Sequence, residues 1–110
     1  MDCLFCSIIE GKIPSTKVYE DEYVYAMRDI NPQAPVHVLI LPKKHMPDVL
    51  SCDGETMAHL LHAVQVIARQ EGIAESGFRI VSNCGKDGAQ SVGHLHIHLL
   101  GGAQLSGTMA

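Results

Sequence analysis

Residues 94–100 read His-Leu-His-Ile-His-Leu-Leu. Successive side chains of an extended strand point to opposite faces, so His94, His96 and His98 share one face and Leu95, Ile97 and Leu99 the other. The aliphatic face suits a core. The histidine face must look onto something that uses imidazole: a metal ion, a phosphate or a reacting group. A single strand histidine is ordinarily a satisfied polar residue, and a solvated surface row is a further alternative. Three in strict alternation repel one another when protonated, so gathering them needs a compensating role.

The preceding segment, Asn83-Cys84-Gly85-Lys86-Asp87-Gly88-Ala89-Gln90-Ser91, favours phosphate among those choices. Glycines let backbone N–H groups approach an anion closely, and Gln90 and Ser91 add side-chain donors. Loops of this composition are commonly only turns. Set directly against three imidazoles, this one supplies donors where a phosphate would sit. His37 opens another apolar run and lies beside the row if the two strands are neighbours.

The elements that must position these groups follow from periodicity and punctuation. Residues 2–10 read as a short helix closed by Gly11, with Pro14 beyond. Residues 18–20 and 23–27 read as a hairpin turning at Asp21 and Glu22. Residues 31–35, Asn-Pro-Gln-Ala-Pro, form a loop, because proline removes a donor and restricts its neighbour. His37 to Leu41 is a nearly all-apolar strand, hence central, and Pro42 ends it. Asp53 caps a helix running to Glu71 and stopped by Gly72. Met57, Leu60, Leu61, Val64, Ile67 and Ala68 keep the helical spacing of one buried face. Residues 78–82 and 94–100 are the last strands, the second stopped by Gly101-Gly102. The expectation is an α+β domain: an antiparallel five-stranded sheet with one long helix and a short N-terminal helix.

Composition narrows the function classes. The chain has 110 residues, a formal net charge of −4, 46% hydrophobic and 18% charged residues. That length predicts one domain over 1–110. The negative charge argues against non-specific nucleic-acid binding, which needs a basic surface. No run reaches the roughly 18 to 20 apolar residues of a membrane helix, and the first residues lack a secretion signal's basic and apolar regions. Four cysteines, Cys3, Cys6, Cys52 and Cys84, are then expected as free thiols in the cytoplasm.

The triad run, together with Asp29-Ile30-Asn31-Pro32-Gln33-Ala34-Pro35, His37, Leu41-Pro42-Lys43-Lys44-His45, Gly88-Ala89-Gln90-Ser91-Val92 and Leu100-Gly101-Gly102, resembles the histidine triad (HIT) superfamily over nearly the whole chain. The Asp-Ile-x-Pro-Gln-Ala-Pro and Leu-Gly-Gly features are similar to its nucleotide-binding (HINT) branch, in the bacterial type that begins with CxxC. The resemblance implies a hydrolase of purine nucleoside phosphoramidates, adenosine above all, acting through a nucleotidyl-histidine. It implies His96 as nucleophile, His98 on the phosphate, His37 managing the proton and His94 orienting His96. Ser91 would meet the leaving group, and Asn83, Ala89, Gln90 and Val92 would hold phosphate oxygens. Phe5, Ile13, Met27, Asp29 and Ile30 would line the nucleoside pocket, Asp29 accepting from the ribose hydroxyls. Met27, Ala89, Gly93 and Cys84 depart from the residues common in the family. The same likeness implies structural zinc on Cys3, Cys6, His45 and His94, no cofactor for catalysis, and a homodimer built through the long helix and a strand. A non-catalytic nucleotide-binding regulator, a dinucleoside polyphosphate hydrolase and a metal-dependent enzyme are the alternatives.

Overall fold

The computed structural model describes residues 3–108. Its elements are α1 (Leu4–Ile9), β1 (Lys17–Glu20), β2 (Val24–Arg28), β3 (Val36–Pro42), a single 3-10 turn at Val49–Ser51, α2 (Gly54–Gln70), β4 (Phe78–Val81) and β5 (Ile97–Gly101). The expected helix start at Asp2 lies outside the described residues. Both helices stop the same way. Gly11 and Gly72 take positive φ, 81° and 73°. The N–H groups of Lys12 and Ile73 then reach back to the carbonyls of Ser7 and Ala68 at 2.9 Å, the double closure that a left-handed residue after the last turn allows. Among the described residues no helix is long and apolar enough to cross a membrane.

The five strands form one antiparallel sheet in the order β1-β2-β3-β5-β4, with β3 at the centre. Alternation along the strands gives the sheet two different faces. Val24, Ala26, Val38, Ile40, Ile97 and Leu99 face α2 and pack on its Leu60, Ala63, Val64, Ile67 and Ala68. Tyr25, Met27, Leu39 and Leu41 face the other way and are covered by Cys3, Phe5 and Ile8 from α1 and its cap. His37 and His98, out of phase with the first set, therefore project on the α1 side.

Two expectations need correction. The strand read over 94–100 begins only at Ile97. His94 to His96 leave the ladder because their polar groups are engaged elsewhere: Leu95 N–H donates to the Met46 carbonyl at 2.6 Å, and the His94 ring takes the Pro42 carbonyl. The alternation nevertheless persists, since Leu95 joins the α2-side core with Ile97 and Leu99 while His94 and His96 do not. Leu61 was placed on the buried face of the long helix and is 50% exposed. The buried stripe runs through Leu60, Ala63, Val64, Ile67 and Ala68, and Leu61 lies at its margin, about 100° round from Leu60 and roughly 20° beyond Ala68.

Candidate active site and metal site

The three histidines and His37 converge, and their partners decide which nitrogen carries hydrogen. His96 is buried, and its Nδ1 lies 2.8 Å from the His94 carbonyl oxygen. A carbonyl only accepts, so Nδ1 bears the hydrogen and Nε2 keeps its lone pair. No fully buried side-chain nitrogen or oxygen among the described residues lacks a partner; with no bond drawn to it there, Nε2 is not sealed off. The His96 ring packs against both Phe5 and His98, with centroids 5.1 Å from each and interplanar angles of 89° and 68°.

His37 and His98 are coupled through opposite ends of their rings. The Gln33 backbone N–H donates to His37 Nδ1 at 3.0 Å. In the neutral ring the hydrogen must then sit on Nε2, which meets His98 Nδ1 at 2.9 Å. His98 Nδ1 is the acceptor, leaving an N–H on its Nε2. Asp29 Oδ2 lies 3.4 Å from the same His37 Nε2. Sequence reasoning did not single out the Gln33 amide, and no side-chain pattern could have shown it, because any residue there carries the same N–H.

The loop over 83–93 is braced from within. Asn83 Nδ2 donates to the Gly88 carbonyl at 2.7 Å. Gln90 Nε2 donates to the carbonyls of Pro47 at 2.6 Å and Val92 at 2.9 Å, while its Oε1 accepts from Gly85 N–H at 3.0 Å. Expected as phosphate donors, these amides shape the loop here, and Gln90 commits both hydrogens to it. Ala89 sits at φ 57°, a backbone region that suits glycine better. A side chain on Gly88 would run into the backbone of Cys84. Ser91 is exposed, and Val92 is half-buried against the α1-side core.

The residues expected around a nucleoside divide by burial. Phe5 and Met27 are 5% and 4% exposed within the α1-side core, whereas Ile13 is 38% and Ile30 91% exposed. Asp29 Oδ1 accepts from Asn31 N–H at 2.8 Å, a local turn contact.

Cys3, Cys6, His45 and His94 turn their ligand atoms toward one point, all within 4.8 Å of one another. Zinc–nitrogen bonds of about 2.0–2.1 Å and zinc–sulfur bonds of about 2.3 Å give tetrahedral edges of roughly 3.3 to 3.8 Å. The measured edges are 3.2 Å between the two Nδ1 atoms, 3.3 Å from Cys3 Sγ to His94, and 3.4 and 3.6 Å from Cys6 Sγ to His45 and His94. His94 Nε2–H donates to the Pro42 carbonyl at 2.9 Å, so its Nδ1 lone pair faces the cluster, as a ligand requires. Burial, with Cys3 adding to it, pushes the Cys6 thiol up to about 11. Cys6 therefore keeps its proton unless a cation displaces it, and a bound metal would do so. The donor set and its spacing fit a closed four-coordinate zinc site. A second group, Asp29, His37 and His98, also lies within 4.8 Å of itself.

The HIT domain matches residues 10–105. This chain belongs to the HIT family. It is 49% identical to a 14 kDa zinc-binding protein of Zea mays, over 94% of this chain and 84% of that one. It is 43% identical to the purine nucleoside phosphoramidase of Escherichia coli K12, over 99% of this chain and 94% of that one. A histidine triad protein from Clostridium difficile, solved at 0.95 Å, superposes with a TM-score of 0.93 at 46% identity, covering 98% and 96% of the two chains.

Burial pushes the pKa of His98 below the ordinary imidazole value, charge on His96 and His37 acts the same way, and Asp29 opposes. Folded His98 then binds a proton less readily than unfolded His98. Its stabilising contribution is complete above the unfolded pKa of about 6.5 and is lost as pH falls from there through the lower folded value. Denaturant titrations with zinc present at about pH 7.5 and about pH 5 should show a larger loss in the wild type than in His98→Asn.

Proposed function

We propose that this chain hydrolyses purine nucleoside phosphoramidates, with adenosine the preferred nucleoside, by breaking the P–N bond at the α-phosphorus through a nucleotidyl intermediate on His96. The observation that carries this reading is the hydrogen bond from His96 Nδ1 to the His94 carbonyl. It leaves a lone pair at Nε2, on a ring held at its far end. In the first displacement Nε2 bonds to phosphorus and the P–N bond breaks. Its electron pair goes to the amine nitrogen, which takes a proton from solvent as it leaves, the proton that water returns in the second displacement. In the second, water bonds to phosphorus, the P–Nε2 bond breaks, and the water's proton is released. Two displacements replace one difficult step.

The Nε2–H of His98, oriented by His37, would donate to a non-bridging phosphate oxygen, stabilising the charge that accumulates there. Ser91 would meet the departing amine. Backbone N–H groups near Ala89 and Val92 would hold the remaining oxygens within the frame set by Asn83 and Gln90. The exposed Ile13 and Ile30 would close on the base above Phe5 and Met27, and Asp29 would take the ribose hydroxyls. The name of the Escherichia coli relative supports the substrate class. All four cysteines are free thiols, which suits the cytoplasm. We read residues 1–110 as one HIT domain.

His96→Ala should lower turnover of adenosine phosphoramidates by roughly 10⁴-fold or more and abolish acid-labile labelling of the chain by substrate. Undiminished turnover would overturn the nucleophile assignment. Nucleotide binding with no turnover in the wild type would favour a regulatory binder, and preference for dinucleoside polyphosphates would move the substrate class.

The Cys3, Cys6, His45 and His94 set would hold one structural zinc whose ligand positions are all filled by protein. Metal analysis of protein purified without chelator should give about one zinc per chain, falling to near zero in His45→Ala.

A homodimer would cover the open edge strand β4, where Phe78 and Ile80 are 41% and 48% exposed, together with Leu61. Sedimentation at micromolar concentration should report twice the chain mass, and a purely monomeric boundary would refute it.

A further inference from the structure

Phe5 occupies a peculiar place in the chain. It sits between Cys3 and Cys6 on α1, so the two thiols flank it within one turn. The N-cap Cys3 Sγ accepts from Cys6 N–H at 3.3 Å and lies at the same distance from His94 Nδ1. Its ring is buried, and its aromatic neighbours are two triad histidines. It meets His96 edge-on at 5.1 Å and 89°, and His94 at 5.9 Å and 71°. Edge-to-face geometry of this kind is the favoured arrangement of two aromatic rings.

A ring held only by Nδ1 can still swing about that hydrogen bond. In-line attack on phosphorus tolerates about 10–20° of misdirection. Phe5 and His98 each meet the His96 ring at 5.1 Å, so Phe5 supplies a packing restraint that the His94 carbonyl cannot. α1 has six residues, fewer than an isolated helix needs to persist. Its position depends on what its side chains grip. Cys3 and Cys6, on either side of Phe5 in the chain, turn their sulfurs toward His45 and His94.

We propose that Phe5 is a positioning residue for the His96 imidazole, and that metal held by Cys3 and Cys6 fixes where Phe5 presses on that ring. The kinetic part of this inference rests on the phosphoramidase reading above; the structural part does not. It differs from a role for Phe5 as the floor of the nucleoside pocket, which would act on substrate affinity rather than on the free imidazole.

The test uses the full chain labelled with ¹⁵N-histidine, as wild type and Phe5→Leu, each zinc-loaded and stripped by chelator, without substrate. Metal content is measured in parallel. Phe5→Leu should keep its zinc yet move the His96 Nδ1 and Nε2 resonances. Stripping zinc should move them in the wild type and by much less in Phe5→Leu. With adenosine phosphoramidate, kcat should fall roughly two- to tenfold, the fold-change matching loss of one edge-to-face pair, while KM changes less than about twofold. Phe5→Met, whose flexible chain adapts to an irregular gap without a ring, substitutes if Phe5→Leu does not fold.

Unmoved His96 resonances in the variant, with a raised KM, would overturn the positioning role and leave Phe5 as pocket lining. Equal effects of zinc removal in both proteins would overturn the metal link, because coupling would then run through His94 alone. A wild type that turns over no phosphoramidate but shows the expected resonance shifts would support the positioning role while refuting the functional reading.

Discussion

His94 holds the α1 side of the molecule together because three of its polar atoms serve three different neighbours. Its Nε2–H donates to the Pro42 carbonyl, its Nδ1 faces two thiols and a second imidazole, and its carbonyl accepts from His96. The residue is fully buried, so each of these groups must be satisfied inside the protein or incur the cost of a desolvated, unpartnered dipole, about 1–3 kcal/mol apiece. That requirement pulls residues 94–96 out of the sheet ladder. It also ties the end of β3, through Pro42, to the Cys3–Cys6–His45–His94 cluster and to the proposed nucleophile.

The same constraint explains why the site stands on the α1 side of the sheet. The opposite face is packed by α2 and its aliphatic stripe. The α1 side is covered by a six-residue helix and the 83–93 loop. Its cover is thin enough to leave imidazole within reach of solvent, yet it encloses His37, His94 and His96. Burial there favours neutral rings, and both His94 and His98 are displaced toward lower pKa chiefly for that reason.

Much of this was legible in the sequence because it is carried by side-chain periodicity. The alternation of histidine with aliphatic residues placed His98 with His37 and away from Leu99, and it survived where the ladder itself did not. The grouping of the CxxC pair with His45 and His94 was readable through resemblance, since donor type resides in residue type, and the structure brings the four together. What escaped was the contribution of main-chain groups: the Gln33 amide, the carbonyls of Pro42 and His94, and the Met46 carbonyl that takes Leu95. Every residue offers those groups, so no pattern marks them. Asn83 and Gln90 show a related limit: residue type marks their amides as donors, but only the fold shows that they also brace the loop. Leu61 illustrates the limit of period counting: i+3 and i+4 spacing marks a stripe but not its width, and Leu61 sits just past the margin set by Ala68.

These main-chain groups also assign the histidines their separate chemistries. A carbonyl on the far nitrogen forces the hydrogen there and leaves a lone pair on the near one. That is the state of His94 toward the thiols and of His96 at Nε2. An amide N–H on the far nitrogen does the reverse, and His37, receiving Gln33, presents a hydrogen toward His98. Asp29, His37 and His98 have the composition of a metal site, with ligand atoms close enough to share an ion. Yet His37 could ligate through Nε2 only by losing that hydrogen while its Nδ1 still accepts from Gln33, which would make the ring an imidazolate. Without another metal on that ring, such a state is far costlier than the neutral imidazole that the bond at Nδ1 already satisfies. Of two histidine clusters on one face of one sheet, the first is therefore set to hold a cation and the second to hand a hydrogen to whatever His98 touches. The difference lies in whether the backbone offers each ring an oxygen or an N–H.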